Sequence, residues 1–127
     1  MHADKLYEYA VIRLVPKPER EEFFNIGVVM FSKKEKFIRV ETKICPKKFA
    51  LFCPELELKE IERSLDYFKK IANGDNFASP LSHLEIPERF RWLTAVRSAI
   101  IQTSRPHPGK SADLNKTFER LFAEAVL

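Results

Sequence analysis

A chain of 127 residues with 45% hydrophobic and 31% charged side chains carries enough apolar area for one packed core, and that composition excludes intrinsic disorder. Its 22 basic and 18 acidic groups leave a formal net charge of +4, too mild for the sharp basic stripe of a dedicated nucleic-acid binder. No apolar run approaches the roughly 18 residues that mark a membrane span.

The charge excess lies in the first half, where residues 1–54 hold eleven basic and seven acidic groups. The opening Met1-His2-Ala3-Asp4-Lys5 lacks the basic-then-apolar order of a secretion signal. Two cysteines, Cys45 and Cys53, then read as reduced and buried rather than bridged, and a cytoplasmic home is expected.

Tyr7 to Val15 reads as a strand apolar on both faces, with Tyr9, Val11 and Val15 on one side and Ala10, Ile12 and Leu14 on the other. Pro16 and Pro18 end it, since neither has an N–H for a ladder. Asn25 to Ser32 is a second strand, again apolar on both faces and so expected in the middle of its sheet. Lys33-Lys34-Glu35 turns the chain, and Phe37 to Lys43 returns as a half-solvated edge, with Arg39 and Glu41 facing water.

Helices take over after Pro46. Residues 46–53 fit a short helix with proline in its first turn. Leu58, Ile61, Leu65, Phe68 and Ile71-Ala72 recur at helical spacing, and Asn73-Gly74 supplies the stop. A loop holds Asn76, Ser79, Pro80 and Ser82, and Pro87 starts another helix through Trp92 and Val96. Ala99 to Ser104 suits a fourth strand, with helix as the alternative. Arg105-Pro106-His107-Pro108-Gly109 reads as a rigid loop. Leu114, Phe118, Leu121, Phe122 and Ala125 define a final amphipathic helix capped by Ser111 or Asp113.

This order predicts a single α+β domain over residues 1–127: a mixed, mainly antiparallel sheet of three to four strands with helices packed on one face. The two-faced apolarity of the first two strands requires some cover on the other face, and a homodimer is one way to provide it.

Candidate chemistry concentrates between Arg13 and Gly27. Asn25 and Gly27 are unusual inside an apolar strand, because asparagine is depleted there and glycine marks a bulge or a close backbone approach. Arg13, Arg20 and Asn25 offer the donors that line a phosphate or carboxylate pocket. The structural alternative pairs Arg13 or Arg20 with Glu22, ties the turn through Asn25 and makes Gly27 a bulge. Arg105 and His107 form a second candidate on the stiff loop, with His107 able to exchange protons near neutral pH but no nucleophile placed beside it.

Cofactor signals are absent. The three glycines, at 27, 74 and 109, are too dispersed for a phosphate loop. His2, His83 and His107 are isolated, and Cys45 and Cys53 lack zinc-site spacing. The acidic series Glu55, Glu57, Glu60, Glu62 and Asp66 fits a solvated helix start, and the lysines at 33, 34, 36, 47 and 48 fit the protection of a hairpin edge.

The run Tyr9-Ala10-Val11-Ile12-Arg13-Leu14-Val15-Pro16, followed by Arg20-Glu21-Glu22-Phe23-Phe24-Asn25-Ile26-Gly27-Val28-Val29-Met30-Phe31, resembles the opening signature of a bacterial family known as domain of unknown function 3037. Arg13, Arg20, Asn25 and Gly27 fall on that signature. The resemblance implies a cytoplasmic bacterial protein and brings no activity with it. Such proteins are often encoded beside a kinase resembling the HipA toxin family, which implies a protein partner.

With no nucleophile–base pair, metal set or phosphate loop to assemble, the expected role is a non-catalytic module binding another protein through its sheet edge or the Arg20–Gly27 region. The alternative is an enzyme or anionic-ligand domain using Arg13, Arg20, Asn25 and Arg105. Nucleic-acid binding is the least supported role.

Overall fold

The computed structural model describes residues 4–75, 80–95 and 100–127. Strands β1 (Lys5–Leu14), β2 (Phe24–Ser32) and β3 (Phe37–Thr42) form an antiparallel meander, followed by helices α1 (Pro46–Phe52), α2 (Leu58–Asn73) and α3 (Ile86–Leu93). Two short strands, β4 (Ile101–Thr103) and β5 (His107–Ser111), precede the last helix, α4 (Leu114–Ala125). Every strand pairing is antiparallel, so the α+β class and the antiparallel sheet stand as expected. Asn76, Ser79, Val96 and Ala99 lie outside the described residues.

The sheet order is β3-β2-β1-β4, with β5 also pairing to β1. One side of β1 therefore meets two short strands in succession: β4 against Ile12–Leu14 and β5 against Lys5–Tyr9. The fifth strand comes from the segment read as a rigid loop, and that reading needs correction. Pro108 lies in β5 opposite Glu8. An edge strand tolerates proline because its missing N–H need not serve a second neighbour. Gly109 opposes Tyr7, whose ring occupies the space a Cβ would fill, so the bare backbone becomes a seat for the aromatic face.

Alternation along the strands sorts two cores. Ala10, Ile12 and Leu14 of β1 join Val29 and Phe31 of β2 against α1, α2 and α3. Phe90 is fully buried with its ring centroid 4.3 Å from that of Phe31, a burial worth about 2–3 kcal/mol for such a side chain. Ile61, Leu65, Ile71 and Ala72 are the buried stripe of α2, and Gly74 stops it with a left-handed φ of 75°. The acidic residues of that region are solvent-exposed, as expected.

Opposite residues make the second core. Val28 and Met30 pack with Leu114, Phe118 and Leu121 of α4, bordered by Tyr7, Tyr9 and Phe37. The cover that the second face requires thus comes from this chain, and its apolarity gives no reason for a dimer. Arg39 is half-buried against this cover instead of facing open water: its guanidinium carbon is 4.4 Å from the Phe118 ring centre, and it donates to Asn115 Oδ1 at 2.9 Å. Asp113 caps α4 by accepting the Lys116 N–H at 3.1 Å, while Ser111 Oγ accepts the Asp113 N–H.

Candidate functional site

The two odd residues of β2 have separate physical reasons. Between Ile12 and Arg13 the β1–β2 register shifts, so that Ile12 opposes Gly27 but Arg13 opposes Asn25. Ile26 is the extra residue of this bulge, adjacent to the glycine expected to hold it. The extra residue reverses the facing of everything before it. Asn25 is thereby turned from the layer of α1–α3 to that of α4, where its amide Nδ2 donates to the Ala125 carbonyl at 3.1 Å. That carbonyl belongs to the last turn of α4, whose C=O groups have no partners within the helix.

Gly27 answers a close approach. A Cβ there would stand 2.6 Å from the Glu41 carbonyl oxygen and 2.9 Å from Thr42 Cγ2.

Arg13 shares the α4 face with its register partner Asn25. Its guanidinium carbon stacks 4.2 Å from the Phe23 ring centre, and its buried Nε has no hydrogen-bond partner among the described residues. Arg20 and Glu22 pair with each other at 2.7 Å in water, an arrangement worth little. Arg105 is exposed, in the break between β4 and β5. His107 is also exposed, its ring 5.3 Å from that of Tyr9.

The predicted residues therefore divide. Arg13 and Asn25 come together beneath the end of α4. Arg20 and Glu22 instead line a cleft of about 240 Å³ with Pro16, Lys17, Phe23, Phe24, Leu51 and Phe52. Arg13, Asn25, Gly27 and Arg105 are not among the residues of that cleft. Phe23 joins the two regions, since it carries the Arg13 stack and forms one wall of the cleft.

The cleft is built from a 3-10 turn, Pro18–Arg20, and helix α1. Glu21 closes the turn in a left-handed conformation (φ 56°), its N–H reaching Pro18 C=O at 3.2 Å. Helix α1 buries Phe49 and leaves Leu51 80% and Phe52 55% exposed, beside Phe23 at 48%. The Phe24 and Phe52 rings meet at 5.8 Å, and Lys48 Nζ stands 5.7 Å from the Phe24 ring centre.

Sequence reasoning misses Leu51 and Phe52, which read as ordinary apolar helix residues. The available signal is rotational: Leu51 falls almost opposite Phe49 on the α1 wheel.

Cys45 needs correction, because it is exposed at the start of α1. The Lys48 backbone N–H chiefly holds its thiol below the ordinary range, with slight desolvation opposing and the Lys47 N–H assisting. Cys53 is buried, and burial pushes its thiol up. Among the described residues no group of three or more His, Cys, Asp or Glu side chains is placed to hold a metal ion. Among them, too, no helix is long and apolar enough to cross a membrane.

Fold and site define a small α+β domain that carries an apolar cleft with a charged rim. The chain belongs to the family described as protein of unknown function (DUF3037), which it matches over residues 9–126. No match was found among curated proteins or among solved structures.

Proposed function

We propose that this domain is a non-catalytic interaction module that seats an apolar side chain of another protein in the cleft between the Pro18–Arg20 turn and α1. The observation that carries this reading is the continuous exposure of Phe23, Leu51 and Phe52 around one concavity. Apolar side chains gathered at one place mark interaction sites, whereas scattered ones need no explanation. Aromatic residues at the centre of a patch supply large contact area at small entropic cost. Lys17, Arg20 and Glu22 at its rim would contribute orientation more than affinity. A cytoplasmic location and a kinase-like partner belong to this reading as proposals.

Site-specific photocrosslinking in cells tests it. A photoreactive residue at Leu51 or Phe52 is expected to give one discrete adduct with a different protein, abolished by Phe23→Ser. Adducts no different from those at Ala112, an exposed position ahead of α4, would overturn the reading.

One observation favours a second reading, an anionic ligand held near Arg13: the buried Nε of that arginine has no partner among the described residues. Inorganic phosphate should then shift the Arg13 side-chain NMR signals of the wild-type chain. No shift at millimolar phosphate would remove this reading.

A further inference from the structure

The two edges of the sheet are built differently. On one side, β4 and β5 are short, broken at Ser104–Pro106 and carry Pro108. Prolines and breaks blunt an edge against pairing. On the other side, β3 runs six residues in uninterrupted register with β2, from Ser32↔Phe37 to Gly27↔Thr42, with neither proline nor bulge.

The backbone phase of β3 follows from one bond. Lys43 donates its N–H to Ile26 C=O at 2.7 Å, which makes that pair hydrogen-bonded and, by alternation, Glu41 and Arg39 as well. Ile38, Val40 and Thr42 therefore direct N–H and C=O outward. Among the described residues no further element bonds to them.

A cleft flanks this edge on each face of the sheet. Toward α2, a cleft of about 520 Å³ is lined by Thr42, Lys43 and Ile44 together with Lys59, Arg63 and Lys69 and the carboxylates Glu62 and Asp66. Its four cations form no ion pair among the described residues, and they outnumber the two carboxylates. Toward α4, a cleft of about 390 Å³ is lined by Phe122 and Leu127, with the buried Phe118 behind them and the charged Arg39, Glu41, Lys43 and Glu119 around them.

A strand added to an edge sends alternate side chains to opposite faces. We propose that β3 is a docking edge for an extended segment of a partner protein, which adds as a further strand. Its side chains on the α2 face are acidic, matching Lys59, Arg63 and Lys69. Those on the α4 face are apolar, matching Phe122 and Leu127. This surface is separate from the Leu51 cleft, so either can fail without the other.

The test uses the ¹⁵N-labelled full chain and a capped peptide alternating Glu and Val. Binding should protect the amides of Ile38, Val40 and Thr42 from solvent exchange and shift those of Lys59 and Arg63. A Lys–Val peptide, a peptide N-methylated at alternate amides, and the Lys59→Glu/Arg63→Glu variant should each weaken binding at least about tenfold, the scale of one lost strong contact. Equal binding of the Lys–Val peptide, or no exchange protection on β3 at saturation, would overturn the proposal. So would tighter binding of a single-stranded oligonucleotide to the same cations, or sedimentation showing that a second copy of the chain already occupies the edge.

Discussion

Val11 and Ser104 exchange two bonds across the break between β4 and β5. Val11 N–H donates to Ser104 Oγ at 2.9 Å, and Ser104 N–H donates to Val11 C=O at 2.8 Å. The residue numbers of paired positions sum to 115 along β4 and 116 along β5, so one extra residue enters opposite Val11. At that point the next strand carbonyl is out of register, and a serine hydroxyl takes its place.

Replacing Ser104 by alanine should therefore leave the Val11 N–H without its partner in a half-buried setting. The expected loss is about 1–3 kcal/mol, the cost of an unsatisfied buried donor. Urea unfolding should show a lower midpoint with an unchanged slope, because the folded surface is conserved. Ser104→Thr should retain most of the stability.

Gly27→Ala should be destabilising although its backbone needs no left-handed conformation. The new methyl meets the Glu41 carbonyl oxygen, which belongs to a ladder and has little freedom to retreat. Overpacking of this kind costs about 1–3 kcal/mol, measurable by thermal unfolding.

Asn25→Asp should cost more stability than Asn25→Ala. Alanine removes the bond to Ala125 C=O, whereas a carboxylate brings negative charge to the carbonyl end of α4. Hydrogen exchange of the Val126 amide, which bonds to Phe122 C=O at 2.9 Å, reports the fraying directly. Exchange in both variants as slow as in the wild-type chain would mean that Asn25 does not hold this helix end.

The two thiols should separate on titration. Cys45 is lowered, so its alkylation by iodoacetamide should reach half its maximum rate at a lower pH than that of an unstructured peptide thiol. Cys53 is raised and buried, so it should label only as the protein opens. The linkage sign follows: a folded value above the unfolded one gives stability that is complete below the ordinary thiol range. That contribution fades as pH rises through the folded Cys53 value. Cys45, exposed, opposes this only weakly. Mass spectrometry of alkylated peptides and unfolding midpoints between about pH 7 and 10, a window spanning the ordinary thiol value of roughly 8.5, check both statements.

The meander, the α2 stripe ended by Gly74 and the amphipathic α4 were legible because each repeats a simple period or carries its own stop signal. The His107–Ser111 strand was not. Proline and glycine ordinarily punctuate, and only its position beside β1 with one neighbour makes them admissible. Asn25 and Gly27 stood out as misfits in a strand, yet what they answer to lies far along the chain for one (Ala125) and across the ladder for the other (Glu41). Arg39 looked solvent-facing because nothing in β3 announces that the Phe118 ring will lie against it. The exposure of Leu51 was illegible for a related reason: apolarity names a preference for burial without naming the surface that provides it.

Helix α4 is the last element of the domain to be synthesised, and among the described residues it is the helix that covers this side of the meander. During translation Val28 and Met30 emerge many residues before Phe118 and Leu121. A nascent sheet sealed by α1–α3 would thus present a greasy, half-finished face until α4 leaves the ribosome. Such an interval suits holding by a chaperone and disfavours long pauses while the codons of that helix are read.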